Sequence, residues 1–120
     1  DMDSGRMDKS AHPFAVGLHP YDVRFTTRDR GNDIFYSIGS AVHEAGHGMY
    51  EQGLPAKYFG TPLAEAVSYG VHESQSRMWE NNIGQSKEFW KYFHLKLRRE
   101  FPKPFKNISI DELYKIIKLN

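Results

Sequence analysis

The chain contains no cysteine, so no disulfide can form, and any metal must be held by His, Asp or Glu. A chain without cysteine fits a reducing compartment, and the cytoplasm is the expected location. Net charge is nearly absent as well. Sixteen Lys plus Arg against 15 Asp plus Glu leave +1, which gives no reason to expect nucleic acid or an anionic membrane as partner. No apolar run approaches the roughly 20 residues that cross a bilayer. The acidic start, Asp1-Met2-Asp3, has neither the basic-then-apolar layout of a signal peptide nor an initiator Met, so the chain is expected to begin mid-sequence. What is present is a globular balance of 39 % hydrophobic and 26 % charged residues in 120, enough for one domain with one modest core.

Residues 1–11 are polar and read as a loop. Residues 12–16 and 22–28 follow, separated by Gly17-Leu18-His19-Pro20-Tyr21; Val23, Phe25 and Thr27 alternate with Arg24, Thr26 and Arg28. That period of two predicts a strand, and the Gly/Pro-containing connection predicts a hairpin. From Ile34 to about Leu54 the period becomes helical. Ile34, Ile38, Ala41, Ala45 and Met49 share the expected core face, while Tyr36, Gly39, Ser40, His43, His47 and Tyr50 share the opposite one. Thr61-Pro62 predicts a second helix running to about Asn82, with Ala64, Val67, Val71 and Met78 on one side. Ser86 opens a third, through about Phe101, and Pro102 and Pro104 break it. Ser109-Ile110-Asp111-Glu112 has capping-box spacing, so a last helix carrying Leu113, Ile116 and Ile117 and reaching Asn120 should follow. The apolar faces of the third and last helices are expected to need surfaces beyond this chain. No internal repeat or low-complexity tract is evident.

His43-Glu44-Ala45-Gly46-His47 is an H-E-x-x-H pattern on a predicted helix. Residues four apart lie one above the other on a helix, so both imidazoles can reach one ion. Glu44 projects about 100° away around the axis, placed to take a proton from activated water without occupying a coordination position. Zinc suits such a donor set and keeps three protein ligands in catalytic sites. Two histidines at this spacing also arise by chance. Here both lie opposite the apolar stripe, and the small neighbours Gly39, Ser40 and Gly46 leave room for an ion and a peptide.

The third ligand is sought among Glu65, Glu73 and Glu80 of the second helix. Glu65 sits near the expected helix start, where the dipole alone accounts for a carboxylate, and Glu80 reads as a solvated side chain. Glu73 is the choice, because Ala66, Tyr69 and Gly70 on its face permit close helix approach. His72, about 100° further round, is expected to stand behind the ligands or face substrate; a hydrogen-bonded, partly buried histidine is the structural alternative.

His12-Pro13-Phe14, Asp22-Val23-Arg24-Phe25-Thr26, His43-Glu44-Ala45-Gly46-His47 and His72-Glu73-Ser74-Gln75 occur in that order, as do Gly60-Thr61-Pro62-Leu63 and Arg77-Met78-Trp79-Glu80-Asn81. Together they resemble the motifs of the carboxypeptidase Taq family over nearly the whole chain. The resemblance implies a zinc-dependent metallocarboxypeptidase of broad specificity that removes C-terminal residues from peptides, with cobalt able to replace the single zinc. It implies a mainly helical fold with a small sheet beside a deep groove, usually in a homodimer. It makes His43, His47 and Glu73 the metal ligands and Glu44 the general base, and it adds His12 and Arg24 to His72 as substrate-binding candidates. Structural roles are open for these last: Arg24 as partner of Asp22 or Asp29, His12 as a brace for the hairpin.

Family members are several times longer, with two further motifs, I-R-x-x-A-D and G-x-x-Q-D-x-H-W, expected beyond Asn120. The fold expected is therefore mainly α: zincin-like helices with a small β-hairpin beside the metal site, residues 1–120 being one segment of a metallocarboxypeptidase catalytic domain with a larger helical groove. Two other readings stay open. One is a truncated, inactive zinc-binding fragment; the other is an oligoendopeptidase of the same wider class.

Overall fold

A computed structural model describes residues 1–119. Its architecture is mainly helical with a small sheet packed on the first long helix. The expected end of the last helix at Asn120 lies outside the described residues.

The hairpin forms as the alternation predicts. Strand β2 (Phe14–His19) turns at Pro20-Tyr21 into β3 (Asp22–Thr27), with Ala15 opposite Phe25 and Val16 opposite Arg24. The turn is shorter than the sequence suggests, because residues 17–19 remain in the strand. Val23 and Phe25 point inward and are buried, while Arg24 faces out. The expected loop over residues 1–11 is corrected: β1 (Gly5–Lys9) pairs in parallel with β3, making a sheet of order β1-β3-β2. Strand β1 lies at the edge with most of its side chains in solvent. It therefore carries no alternating pattern, and its charges (Arg6 paired with Asp8) suit an unpaired edge.

Helix α1 (Ile34–Gln52) starts where the Asp33 carboxylate accepts the Tyr36 N–H at 2.9 Å, a side-chain cap for an otherwise orphan donor. Its expected core face holds for the first half only. Ile34 and Ile38, with Phe35, pack against the C-terminal cluster. In the second half Met49 is exposed, and the buried residues are Glu44, Gly46, His47 and Gly48. The reason is proximity rather than hydropathy. Sheet residues Val23 and Phe25 lie over Gly48, and the following helix lies over Gly46.

The second predicted helix starts later than expected. Thr61-Pro62 opens only a 3-10 turn (Pro62–Ala64), after which the chain is extended at Glu65. Helix α2 (Tyr69–Arg77) begins at Ser68, whose hydroxyl accepts the Val71 N–H at 3.2 Å, and continues as a π-helical turn through Met78–Ile83. Of its expected apolar side only Ala64 is buried; Val67, Val71 and Met78 are exposed.

Helix α3 (Lys87–Glu100) is capped by Ser86. After the proline break come a single turn, α4 (Pro102–Phe105), and α5 (Ile110–Leu119). The capping box forms as predicted: the Ser109 N–H donates to Glu112 at 2.9 Å and the Glu112 N–H to the Ser109 hydroxyl at 3.3 Å. Trp90, Leu97, Phe105, Leu113 and Ile117 make the core of this half. On α5, Leu113 and Ile117 are covered within the chain, contrary to expectation, whereas Ile116 and Leu119 stay exposed, as do Tyr92 and Leu95 on α3, in line with it.

Candidate metal centre

The face of α1 that carries His43 and His47 meets the face of α2 that carries Glu73. Gly46 permits this. A Cβ there would lie 2.7 Å from the Ser76 Cα and 3.3 Å from the Gln75 carbonyl, so only glycine lets the two backbones close. The space at Gly46 was expected to admit an ion or peptide; the α2 backbone fills it instead. The tight approach at Gly46 is accordingly made by Ser76 rather than by Ala66, Tyr69 or Gly70.

Across this contact Glu73 Oε2 stands 3.1 Å from His47 Nε2 and 3.7 Å from His43 Nε2, and the three donor atoms lie within 4.8 Å of one another. Tetrahedral zinc with bonds of ~2.0–2.2 Å sets its ligand atoms about 3.3–3.6 Å apart. The observed spacings bracket that range, and the donors are of the right kind. His43, His47 and Glu73 could hold a metal ion. Glu73 Oε1 accepts the Arg77 Nε–H at 3.0 Å, which leaves Oε2 facing the imidazoles with only the Ser76 hydroxyl, 3.3 Å away, beside it.

The remaining ring nitrogens fix the imidazole orientations. His43 Nδ1 lies 2.8 Å from Glu80 Oε2, which also accepts from Arg77 at 3.1 Å. His47 Nδ1 lies 2.6 Å from His72 Nδ1, and His72 Nε2 lies 2.8 Å from Glu51 Oε1. A carboxylate can only accept. His43 therefore donates from Nδ1 and His72 from Nε2, and with its proton on Nε2 the His72 ring can accept at Nδ1 from His47 Nδ1–H. In those tautomers both HExxH histidines have an Nε2 lone pair to offer an ion seated between them and Glu73; a direct contact with Glu73 Oε2, which can only accept, calls for a protonated Nε2 instead.

The surroundings shift His47 toward its neutral form and Glu73 toward its ionised one. Burial lowers the His47 pKa, His72 and His43 lower it further, and Glu73 opposes them. Burial raises Glu73, but His43, the Arg77 guanidinium, His47 and Ser76 outweigh it and hold the carboxyl below the usual glutamate value. Glu44 shifts the other way. Burial raises its pKa, and the nearby carboxylates Glu73 and Glu80 add to that against the pull of His43. Its side chain borders a cavity of about 490 Å³ that His43, Tyr36, Arg77 and Glu80 also line.

The other candidates lie elsewhere. Glu65 is exposed and outside any α-helix. Arg24 forms two hydrogen bonds, of 2.9 and 3.0 Å, to Asp22 on the outer face of the sheet, the first of its two structural alternatives. His12 is exposed; its backbone braces the hairpin, the carbonyl accepting from the Thr26 hydroxyl at 3.1 Å. His72 sits between His47 and Glu51. Sequence reasoning set Glu80 aside as solvated, whereas it is half-buried against His43. It also overlooked Glu51. A signal existed for both: Glu80 is seven residues from Glu73 and Glu51 four from His47, spacings that share a helix face.

A family model described as carboxypeptidase Taq (M32) metallopeptidase matches residues 1–119. The chain is 50 % identical over 101 residues to thermostable carboxypeptidase 1 of Thermus thermophilus, covering 84 % of this chain and 20 % of that protein. It is 43 % identical over 117 residues to carboxypeptidase 1 of Bacillus subtilis, covering 98 % and 23 %. The crystal structure of the M32 carboxypeptidase from Deinococcus radiodurans superimposes with a TM-score of 0.90 at 46 % identity, over 95 % of this chain and 23 % of the other. The chain thus spans about a fifth of the length of the curated relatives it matches.

Proposed function

Since the chain belongs to the carboxypeptidase Taq (M32) metallopeptidase family, we propose that it is the metal-binding segment of a zinc carboxypeptidase catalytic domain, with His43, His47 and Glu73 as ligands and Glu44 as general base. The observation that carries this reading is the convergence of the two Nε2 atoms on Glu73 Oε2 at 3.1 and 3.7 Å. When bound, zinc supplies a Lewis acid that polarises the scissile carbonyl and brings the pKa of water from ~15.7 toward ~7; cobalt can take its place. Glu44 takes a proton from the attacking water and hands it to the departing amine as the C–N bond breaks and the C–O bond forms. A buried carboxyl with a raised pKa suits a group that must both accept and return a proton near neutrality.

The substrate is a peptide with a free C-terminus and the enzyme acts as a homodimer, as the family resemblance implies; the cysteine-free composition points to the cytoplasm. Among the described residues no helix is long and apolar enough to cross a membrane. The test is hydrolysis by the full-length polypeptide of matched peptides ending in a free carboxylate or an amide, with zinc content measured in parallel. Release of the terminal residue only from the free acid, lost on chelation and restored by zinc or cobalt, supports the proposal. Equal cleavage of the amide assigns an endopeptidase instead.

A further inference from the structure

We propose that Glu51 is a positioning residue for the metal ligand His47, acting through His72, and that Gly17 on β2 keeps Glu51 in place. The inference rests on the metal-centre reading above and extends it to residues outside the ligand set.

Residues 43, 47 and 51 recur at helical spacing, so Glu51 occupies the turn of α1 that follows the two ligands. His72 bridges the gap, with contacts of 2.6 Å to His47 and 2.8 Å to Glu51. The two rings are only 18° from parallel with centroids 4.5 Å apart. They are not a face-to-face stack, because Nδ1 atoms 2.6 Å apart cannot belong to planes separated by the ~3.5 Å of aromatic contact. The rings face each other through their Nδ1 edges, so one Nδ1–H···Nδ1 hydrogen bond can join them. One chain of protons then runs from His47 to His72 to Glu51, and it fixes both tautomer and rotation of His47. Metal-ligating histidines characteristically gain their orientation from such outer partners.

Among the described residues the Glu51 carboxylate has no other hydrogen-bonding or ion-pair partner. Among the described residues neither it nor His72 pairs with a lysine or arginine, unlike Glu80, which Arg77 also engages. Its second oxygen, Oε2, lies where the Gly17 side chain would be: a Cβ at Gly17 would stand 2.3 Å from Oε2 and 2.7 Å from Cδ. Strand pairing is irregular between Gly17 and His19, a local distortion of the kind that re-aims groups beside functional sites. Gly17 does not have a positive φ, so the strand backbone accepts alanine there. The clash falls on the mobile end of Glu51, which must swing away and release His72. Gly17 thereby links the sheet to the metal centre.

The test measures zinc affinity by chelator competition and the visible spectrum of the cobalt form, on the full-length polypeptide and on Glu51→Ala, His72→Ala, Gly17→Ala and Glu51→Gln. Loss of an outer partner weakens metal binding by about 10–100-fold, so Glu51→Ala and His72→Ala should lose affinity in that range and shift the cobalt spectrum. Metal-free unfolding should stay near that of the parent. Gly17→Ala should lose affinity in the same direction, and adding it to Glu51→Ala should cost nothing more, because both act through one contact. Glu51→Gln, which keeps the accepting oxygen, should recover most of the affinity. Glu51→Ala binding zinc within about twofold of the parent overturns the proposal, and additive losses in the double variant overturn the part given to Gly17. Failure of the parent itself to bind zinc removes the metal-centre reading, a result these comparisons keep distinct.

Discussion

Gly46 and Ser76 bring two helices so close that a Cβ on Gly46 would stand 2.7 Å from the Ser76 Cα. The obstruction is backbone, which has no rotamer to escape into. Gly46→Ala must therefore push α2 outward and carry Glu73 away from both imidazoles. Such overpacking costs about 1–3 kcal/mol, and zinc affinity should fall with thermal stability. Gly39→Ala on the same helix is the control. Nothing lies within 4 Å of a Cβ there, so helix propensity should stabilise the variant by up to ~1 kcal/mol. Intact zinc binding by Gly46→Ala would mean that the close approach does not position Glu73.

Glu44 makes no hydrogen bond to another described side chain, yet it is buried, with a raised pKa. That leaves its carboxylate free for a transferable proton rather than for structure. Glu44→Gln keeps shape and removes basicity. It should retain zinc at parental affinity while turnover of a free-acid peptide falls by about 10²–10⁴, the usual worth of general acid–base catalysis. Turnover within tenfold of the parent would take Glu44 out of the mechanism.

The features readable in the sequence are those set by local geometry. The HExxH pair needs only the helical repeat, and the Ser109–Glu112 box needs only its three-residue spacing. Alternation in β3 marks Val23 and Phe25 because one face of that strand is buried. Features set by tertiary approach were hidden. Hydropathy carries no signal for Gly46 and Gly48, which are buried because another backbone or ring comes close. Strand β1 has no buried face to imprint a period of two. Pro62 announces a helix start and Ser68 does too; only the structure tells which begins a 3-10 turn and which begins α2. Glu73 was legible as a candidate ligand, but Glu80 and Glu51 look like solvated acids until the imidazoles are placed against them.

Leu113 is fully enclosed within the cluster formed with Trp90, Leu97, Phe105 and Ile117. This cluster fastens α5 to α3 and to the start of α1, where Ile34 and Ile38 join it. Leu113→Ala leaves a cavity among aromatic rings that cannot collapse without loss, and should destabilise by about 2–5 kcal/mol. Leu95, at 72 % exposure on α3, gives the comparison: its replacement by alanine should stay within about 0.5 kcal/mol. Chemical denaturation of both variants checks the difference, and equal midpoints would show that α5 does not depend on this cluster.

Acid should weaken the attachment of α5, and the sign follows from two carboxylates at its start. The Lys87 ammonium, hydrogen-bonded to Asp111, lowers that carboxyl's pKa. The Ser109 N–H and hydroxyl lower that of Glu112. In the unfolded chain both titrate near their ordinary values of about 3.9 and 4.3. A folded pKa below the unfolded one gives stabilisation that is complete above the unfolded value and is lost as pH falls through the folded one. The double variant Asp111→Asn, Glu112→Gln keeps side-chain shape, and glutamine can still serve the capping box, but neither group titrates. Denaturation followed by tryptophan fluorescence, with Trp90 in the α5-facing core, should show the parent more stable than the variant at pH 7. The gap should close progressively below about pH 4 and narrow in high salt at neutral pH, because both carboxylates are exposed to solvent. A gap that widens on acidification would reverse the sign and show that these carboxylates do not hold α5 in place.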